Sequence, residues 1–186
     1  MLQAHTILAN ELATRHLLDE LGKILQVRRL TVVLADAATQ GFFAYSASQH
    51  LAIRSAVEAS VVVHSTKSLK AFLNVDATGQ SMDDLSPTVG VEMARNALEL
   101  SQAQLAIAMT LGSGRHLALP QCTVLGLHWW YRDRDDTQLS WMLSQQLVMV
   151  STREELPSKL VQSIAHETIK VLRLQEAPAL VVKVSG

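Results

Sequence analysis

The chain has 186 residues, 48% hydrophobic and 18% charged, with a formal net charge of −1. This length suits one domain with a substantial core, and the composition excludes a disordered chain. The near-neutral charge leaves no electrostatic footprint for nucleic acid or an anionic membrane surface, and a lone cysteine, Cys122, excludes an internal disulfide framework and a cysteine-based zinc site.

Residues 6 to 26 predict an amphipathic helix, with Ile7, Leu8, Leu12, Leu17, Leu18, Leu21, Ile24 and Leu25 at helical spacing. Arg28-Arg29 closes it and suits the negative end of the helix dipole. The N-terminal stretch carries acids and lacks the basic-then-apolar order of a signal peptide. No apolar stretch reaches the about 18 residues of a transmembrane helix, so the chain reads as cytoplasmic. Leu30 to Leu34 (LTVVL) reads as a buried strand, Gly41 to Ser55 as a helix, and Ser60 to His64 (SVVVH) as a second buried strand.

A short helix is expected over Thr66 to Leu73, then a polar loop over residues 76 to 86. Ser86 as N-cap and Pro87 at the first helical position start another helix, with Val89, Met93, Ala97 and Leu100 on its inner stripe. Leu105 to Thr110 (LAIAMT) reads as a third buried strand, followed by the glycine-containing loop LGSGRHLAL. Thr123 to Tyr131 and Leu139 to Val150 read as an antiparallel hairpin across the charged turn RDRDD. Ser151 or Thr152 begins the last helix, whose apolar face is Leu156, Leu160, Ile164 and Leu172. The tail APALVVKVSG adds an edge strand or docks elsewhere.

Strands separated by helices argue for a parallel sheet covered on both faces, made mixed by the hairpin. The expected fold is three-layer α/β/α around a mixed, mainly parallel five-stranded sheet. One domain spans residues 1–186, with an N-terminal extension over 1–16 and a C-terminal tail over 175–186.

Few residues announce chemistry. The seven histidines show neither HExxH spacing nor a close cluster with carboxylates, so no metal site is expected. Cys122, within PQCTVLGL, reads as inert core packing. Gly112-x-Gly114 with Arg115 lacks the GK[ST] of a Walker loop and the third glycine of a dinucleotide fingerprint. Thr110 and Ser113 nonetheless sit at a strand's C-terminal end, where α/β folds bind ligands. No G-x-S-x-G elbow occurs. On a strand, Trp129 and Tyr131 share one face and Trp130 takes the other, which suits core and interface packing better than base stacking. Asp36 ends one presumed strand and His64 the next, so either they form an acid–base pair or Asp36 caps the following helix.

The succession of segments from about Leu17 to Leu174 resembles the C-terminal domain of the CinA (competence/damage-inducible) proteins, which includes nicotinamide mononucleotide deamidases. The family's A-E-S-C-T-G-G turn matches Ala35-Asp36-Ala37-Ala38-Thr39-Gln40-Gly41, and its Y-S-N-x-x-K matches His64-Ser65-Thr66-Lys67-Ser68-Leu69. Its S-x-x-V-x-x-x-M-A helix is similar to Ser86-Pro87-Thr88-Val89 with Met93-Ala94. Its T-G-I-A-G-P is similar to Thr110-Leu111-Gly112-Ser113-Gly114-Arg115. Pro120 to Val124 is similar to P-x-G-T-V, and Ser151-Thr152-Arg153 to the G-D-R that opens the last helix.

The resemblance implies an amidohydrolase fold whose nucleophile is the serine of that turn, assisted by the lysine. Here the serine falls on Ala37 and the lysine on Leu69, with Lys67 and Lys70 nearby but out of phase. Loss of a nucleophilic serine costs about six orders of magnitude in kcat in one well-studied hydrolase. One expectation is therefore a ligand-binding or regulatory protein without the family's activity. The other is an active amidohydrolase on a nicotinamide mononucleotide-like substrate, with rearranged catalytic residues drawn from Asp36, Thr39, His64, Ser65 and Thr110. The ligand-binding set implied is Thr39, Gln40, Gly41, Thr110, Gly112, Ser113, Gly114, Arg115 and Arg153. No cofactor is expected. The expected partners are a nucleotide-like small molecule and further copies of the chain. Full-length CinA proteins carry another N-terminal domain, for which 186 residues leave no room.

Overall fold

The computed structural model describes residues 2–113, 123–133, 139–149 and 156–175. The elements run α1 (Leu2–Val27), β1 (Val32–Asp36), α2 (Phe42–Ser48), α3 (Leu51–Arg54), β2 (Val57–Val62), α4 (Thr66–Leu73), α5 (Pro87–Glu99), β3 (Leu105–Ser113), β4 (Thr123–Arg132), β5 (Leu139–Met149) and α6 (Leu156–Leu174). The five strands form one sheet in the order β2-β1-β3-β4-β5. β1 pairs parallel with β2 and β3, while β3–β4 and β4–β5 are antiparallel. The expected mixed sheet is what forms, and every strand except β4 runs in one direction.

Alternation along the strands feeds two cores. Val32, Leu34, Leu105, Ile107, Met109, Leu127 and Trp129 pack with α1, α2, α3 and α6. Val33, Ala35, Ala106 and Ala108 pack with α4 and α5 on the other face. The aromatic run obeys the expected alternation: Trp129 lies in the first core with Tyr131 against it, and Trp130 packs on the second. Burying Trp129 requires a partner for its indole N–H, and Thr168 of α6 accepts it at 3.0 Å.

Several boundaries differ from the sequence expectation. β1 lies two residues beyond Leu30–Leu34, because α1 ends in a left-handed turn at Arg29 (φ 56). There Leu30 N–H donates to Leu25 O and Arg29 N–H to Gln26 O, the pairing of a Schellman cap. The Arg28 guanidinium, at the end of α1, donates to Leu172 O near the end of α6, 2.7 Å away. β2 covers Val57–Val62 rather than residues 60–64. The expected helix over residues 41–55 is broken into α2 and α3, and at the break His50 Nδ1 meets Asp19 of α1 at 3.2 Å. α6 is described from Leu156, and the expected starts at Ser151 or Thr152 lie outside the described residues, as do Cys122 and the tail. Among the described residues no helix is long and apolar enough to cross a membrane.

Candidate functional site

β1 delivers Asp36 to its C-terminal end on the α2 side of the sheet, fully buried. A buried carboxylate must be hydrogen-bonded, and the turn that follows is wrapped around this one. Oδ1 accepts the N–H groups of Ala38 (2.9 Å) and Thr39 (2.6 Å), and Oδ2 accepts the N–H of Gly41 (2.8 Å) and the Thr39 hydroxyl. Thr39 Oγ1 in turn accepts the Phe43 N–H at 3.1 Å. Asp36 and Thr39 together supply the acceptors that the start of α2 needs, since its N-cap, Gly41, has no side chain to do so. The Ala37 side chain takes no part in this clasp and packs against the second core instead; its N–H donates to Met109 O at 2.9 Å. Gln40 (φ 55) and Gly41 (φ 86) complete the turn in successive left-handed conformations.

Thr39, Gln40 and Gly41 line an open depression of about 410 Å3 with Phe42, Tyr45 and Pro157. Phe42 and Tyr45 stack with ring centroids 6.3 Å apart, giving the depression an aromatic wall. Three of the sequence-predicted ligand residues thus meet here, and the others do not join them among the lining residues. Thr110 is buried within β3 opposite Gly126, and Gly112 pairs with Val124. Ser113 closes β3, while Gly114, Arg115 and Arg153 lie outside the described residues.

The expected alternatives at Asp36 separate. Its oxygens are engaged by the turn, whereas His64 is exposed just past β2, and among the described residues no hydrogen bond joins the two. Ser65 is the cap of α4: its hydroxyl accepts Ser68 N–H at 3.1 Å while Ser68 Oγ accepts Ser65 N–H at 3.1 Å. Leu69 is fully buried in the second core, with Lys67 and Lys70 exposed beside it. Among the described residues no group of three or more His, Cys, Asp and Glu side chains could hold a metal ion.

A second polar cluster escaped the sequence reading. His128 is fully buried on β4, its Nδ1 lies 2.8 Å from Ser144 Oγ on β5, and its Nε2 has no hydrogen-bond partner. Nε2 faces two glycines: a Cβ on Gly90 would stand 2.1 Å from it and one on Gly126 3.0 Å. We assign the neutral tautomer with the proton on Nδ1, donating to Ser144, because an N–H at Nε2 would point into glycine Cα–H groups. Burial pushes the ring's pKa down to about 4. The signal was a glycine inside a strand (Gly126) and another inside a helix (Gly90), both marks of close approach.

A family model, the CinA C-terminal domain, matches residues 14–128. Several solved structures share the fold, three of them as follows. A competence-damaged protein (CinA) superfamily protein from Klebsiella pneumoniae is 19% identical, with 87% of this chain and 98% of that chain covered at a TM-score of 0.71. One from Escherichia coli is 18% identical, with coverage of 85% and 90% and a TM-score of 0.68. The competence/damage inducible protein CihA from Agrobacterium tumefaciens is 19% identical, with coverage of 87% and 96% and a TM-score of 0.66. No curated protein sequence matches the chain. The matched model covers the turn after β1, α4, α5 and β3 in one run, and on that ground the chain belongs to the CinA C-terminal domain family.

Proposed function

We propose that this chain keeps the CinA C-terminal scaffold without its amidohydrolase chemistry and works as a ligand-binding or regulatory protein. The observation that carries the reading is the turn after β1. Ala37 offers no nucleophile, and Thr39, the only hydroxyl there, donates to Asp36 and accepts from Phe43 N–H. A nucleophile needs a base with a free acceptor and a hydroxyl free to approach the substrate, and both groups here are committed to holding the backbone. Leu69 supports the same reading, because a lysine there would have its ammonium in an apolar core. The ligand expected at the depression is a nucleotide-like small molecule, its planar part against Phe42 and Tyr45. Self-association and a cytosolic setting belong to the same proposal.

One observation favours the active alternative: Thr39 lines the depression and touches a carboxylate. Titration calorimetry with nicotinamide mononucleotide, followed by ammonia release on the same sample, separates the readings. Binding without ammonia is expected. Ammonia release abolished by Thr39→Ala in a protein that keeps its far-ultraviolet spectrum would establish the alternative.

A further inference from the structure

β5 is the outermost strand of the sheet, and among the described residues nothing pairs with its outer edge. It is 11 residues long, reads LSWMLSQQLVM, and contains neither a charge nor a proline. Edge strands are ordinarily short or carry lysine, proline or a bulge that prevents another strand from adding. β5 has none of these along its middle, since its register with β4 is irregular only between Tyr131 and Arg132. Three of its apolar side chains stand in solvent: Met142 (46% exposed), Leu143 (39%) and Val148 (44%).

The strand is also self-complementary. When two copies of β5 lie antiparallel with Gln145 opposite Gln145, Met142 falls opposite Val148, Leu143 opposite Leu147, and Ser144 opposite Gln146. Apolar residues meet apolar ones and polar meet polar, on both faces. Centring the pair one residue either way, on Ser144 or Gln146, sets Leu143 against Gln145 or Gln145 against Leu147. Cross-strand pairs of like character are what stabilise an antiparallel edge, and a two-fold axis makes every such pair away from the axis occur twice.

We propose that β5 is the self-association edge of this protein: two copies pair antiparallel across a two-fold axis at Gln145, joining two five-stranded sheets into one. The proposal rests on self-association alone and is independent of whether the chain hydrolyses an amide. Sedimentation equilibrium of the full chain tests it. The wild type is expected to be a dimer. Met142→Lys or Val148→Glu alone is expected to weaken the dimer about tenfold or more, since each puts a charge against an apolar residue of the partner. Combining Met142→Lys with Val148→Glu is expected to restore it, because this register sets position 142 of each copy against position 148 of the other, so the two introduced charges attract. A monomeric wild type would overturn the proposal, as would a dimer indifferent to both single changes, a double variant no better than either single one, or a dimer dissociated instead by V181K/V182K in the tail.

Discussion

His128 makes the stability of this protein depend on pH in a predictable direction. Its ring is fully buried, one nitrogen meets Ser144, and the other, facing Gly90 and Gly126, has no hydrogen-bond partner, so the charged form leaves its second N–H unsatisfied. The folded state holds the pKa at about 4 against the ordinary 6.5. Below pH 6.5 the unfolded chain takes up a proton that the folded chain refuses until about pH 4, so stability falls as pH falls through that window and levels off beneath it. At about 1.4 kcal/mol per unit the full loss is on the order of 3 kcal/mol, of which about 2 kcal/mol falls between pH 6.5 and 5. Glu167 acts in the same direction at lower pH. Burial pushes its carboxyl up, but hydrogen bonds and charge from Lys170, with hydrogen bonds from His166 and Gln145, leave it below its ordinary value, so its stabilisation is lost as pH drops. Urea denaturation followed by tryptophan fluorescence at several pH values between 7 and 5 measures the slope. His128→Asn is expected to be less stable at pH 7 yet to lose much less between pH 6.5 and 5, with Glu167 common to both proteins. Equal slopes in the two proteins would refute the reasoning.

Two substitutions test how the site and its surroundings are built. Thr39→Val keeps the shape of the side chain but removes the donor to Asp36 and the acceptor for Phe43 N–H, both buried. A loss of about 1–3 kcal/mol is expected in urea denaturation, largely recovered by Thr39→Ser. Gly22→Ala would set a methyl 2.4 Å from Ile53 N and 2.5 Å from Ala52 C, where α1 crosses α3. Because those atoms are backbone, α3 must move as a unit. A loss of about 1–3 kcal/mol or more is expected, despite the gain in helix propensity, and a neutral result would mean that α3 is not held against α1 as described.

The fold was legible in the sequence because the buried strands are apolar, short and separated by helices. The misplaced ends have local causes. Leu30 is apolar and buried, yet it belongs to the Schellman cap of α1, and its burial looks in sequence like the start of a strand. β2 begins earlier than its apolar run because it is the other edge of the sheet, where Glu58, Ala59 and Ser60 are exposed and carry no hydrophobic signature. At the break between α2 and α3, His50 meets Asp19 across 31 positions of sequence, a contact that periodicity cannot register. Of the site residues, Asp36 and Thr39 could be named from the family pattern, but their joint role as a clasp appears only when the four hydrogen bonds to the carboxylate are seen together. The His128–Ser144 contact was beyond reach, since it depends on the register between β4 and β5.

That clasp bears on why such a turn can carry alanine at its centre. The backbone around residue 37 is fixed by Asp36 on one side, by the Ala37 N–H on Met109, and by the successive left-handed residues Gln40 and Gly41 on the other. None of these restraints passes through the side chain at 37. The hydrogen bonds that shape the turn are therefore independent of the side chain at 37, whose methyl packs against the second core, and the walls of the depression beside Thr39 do not depend on it. A fold whose site is held by neighbouring residues in this way can keep a binding surface after the reacting group has gone, as the proposed function requires.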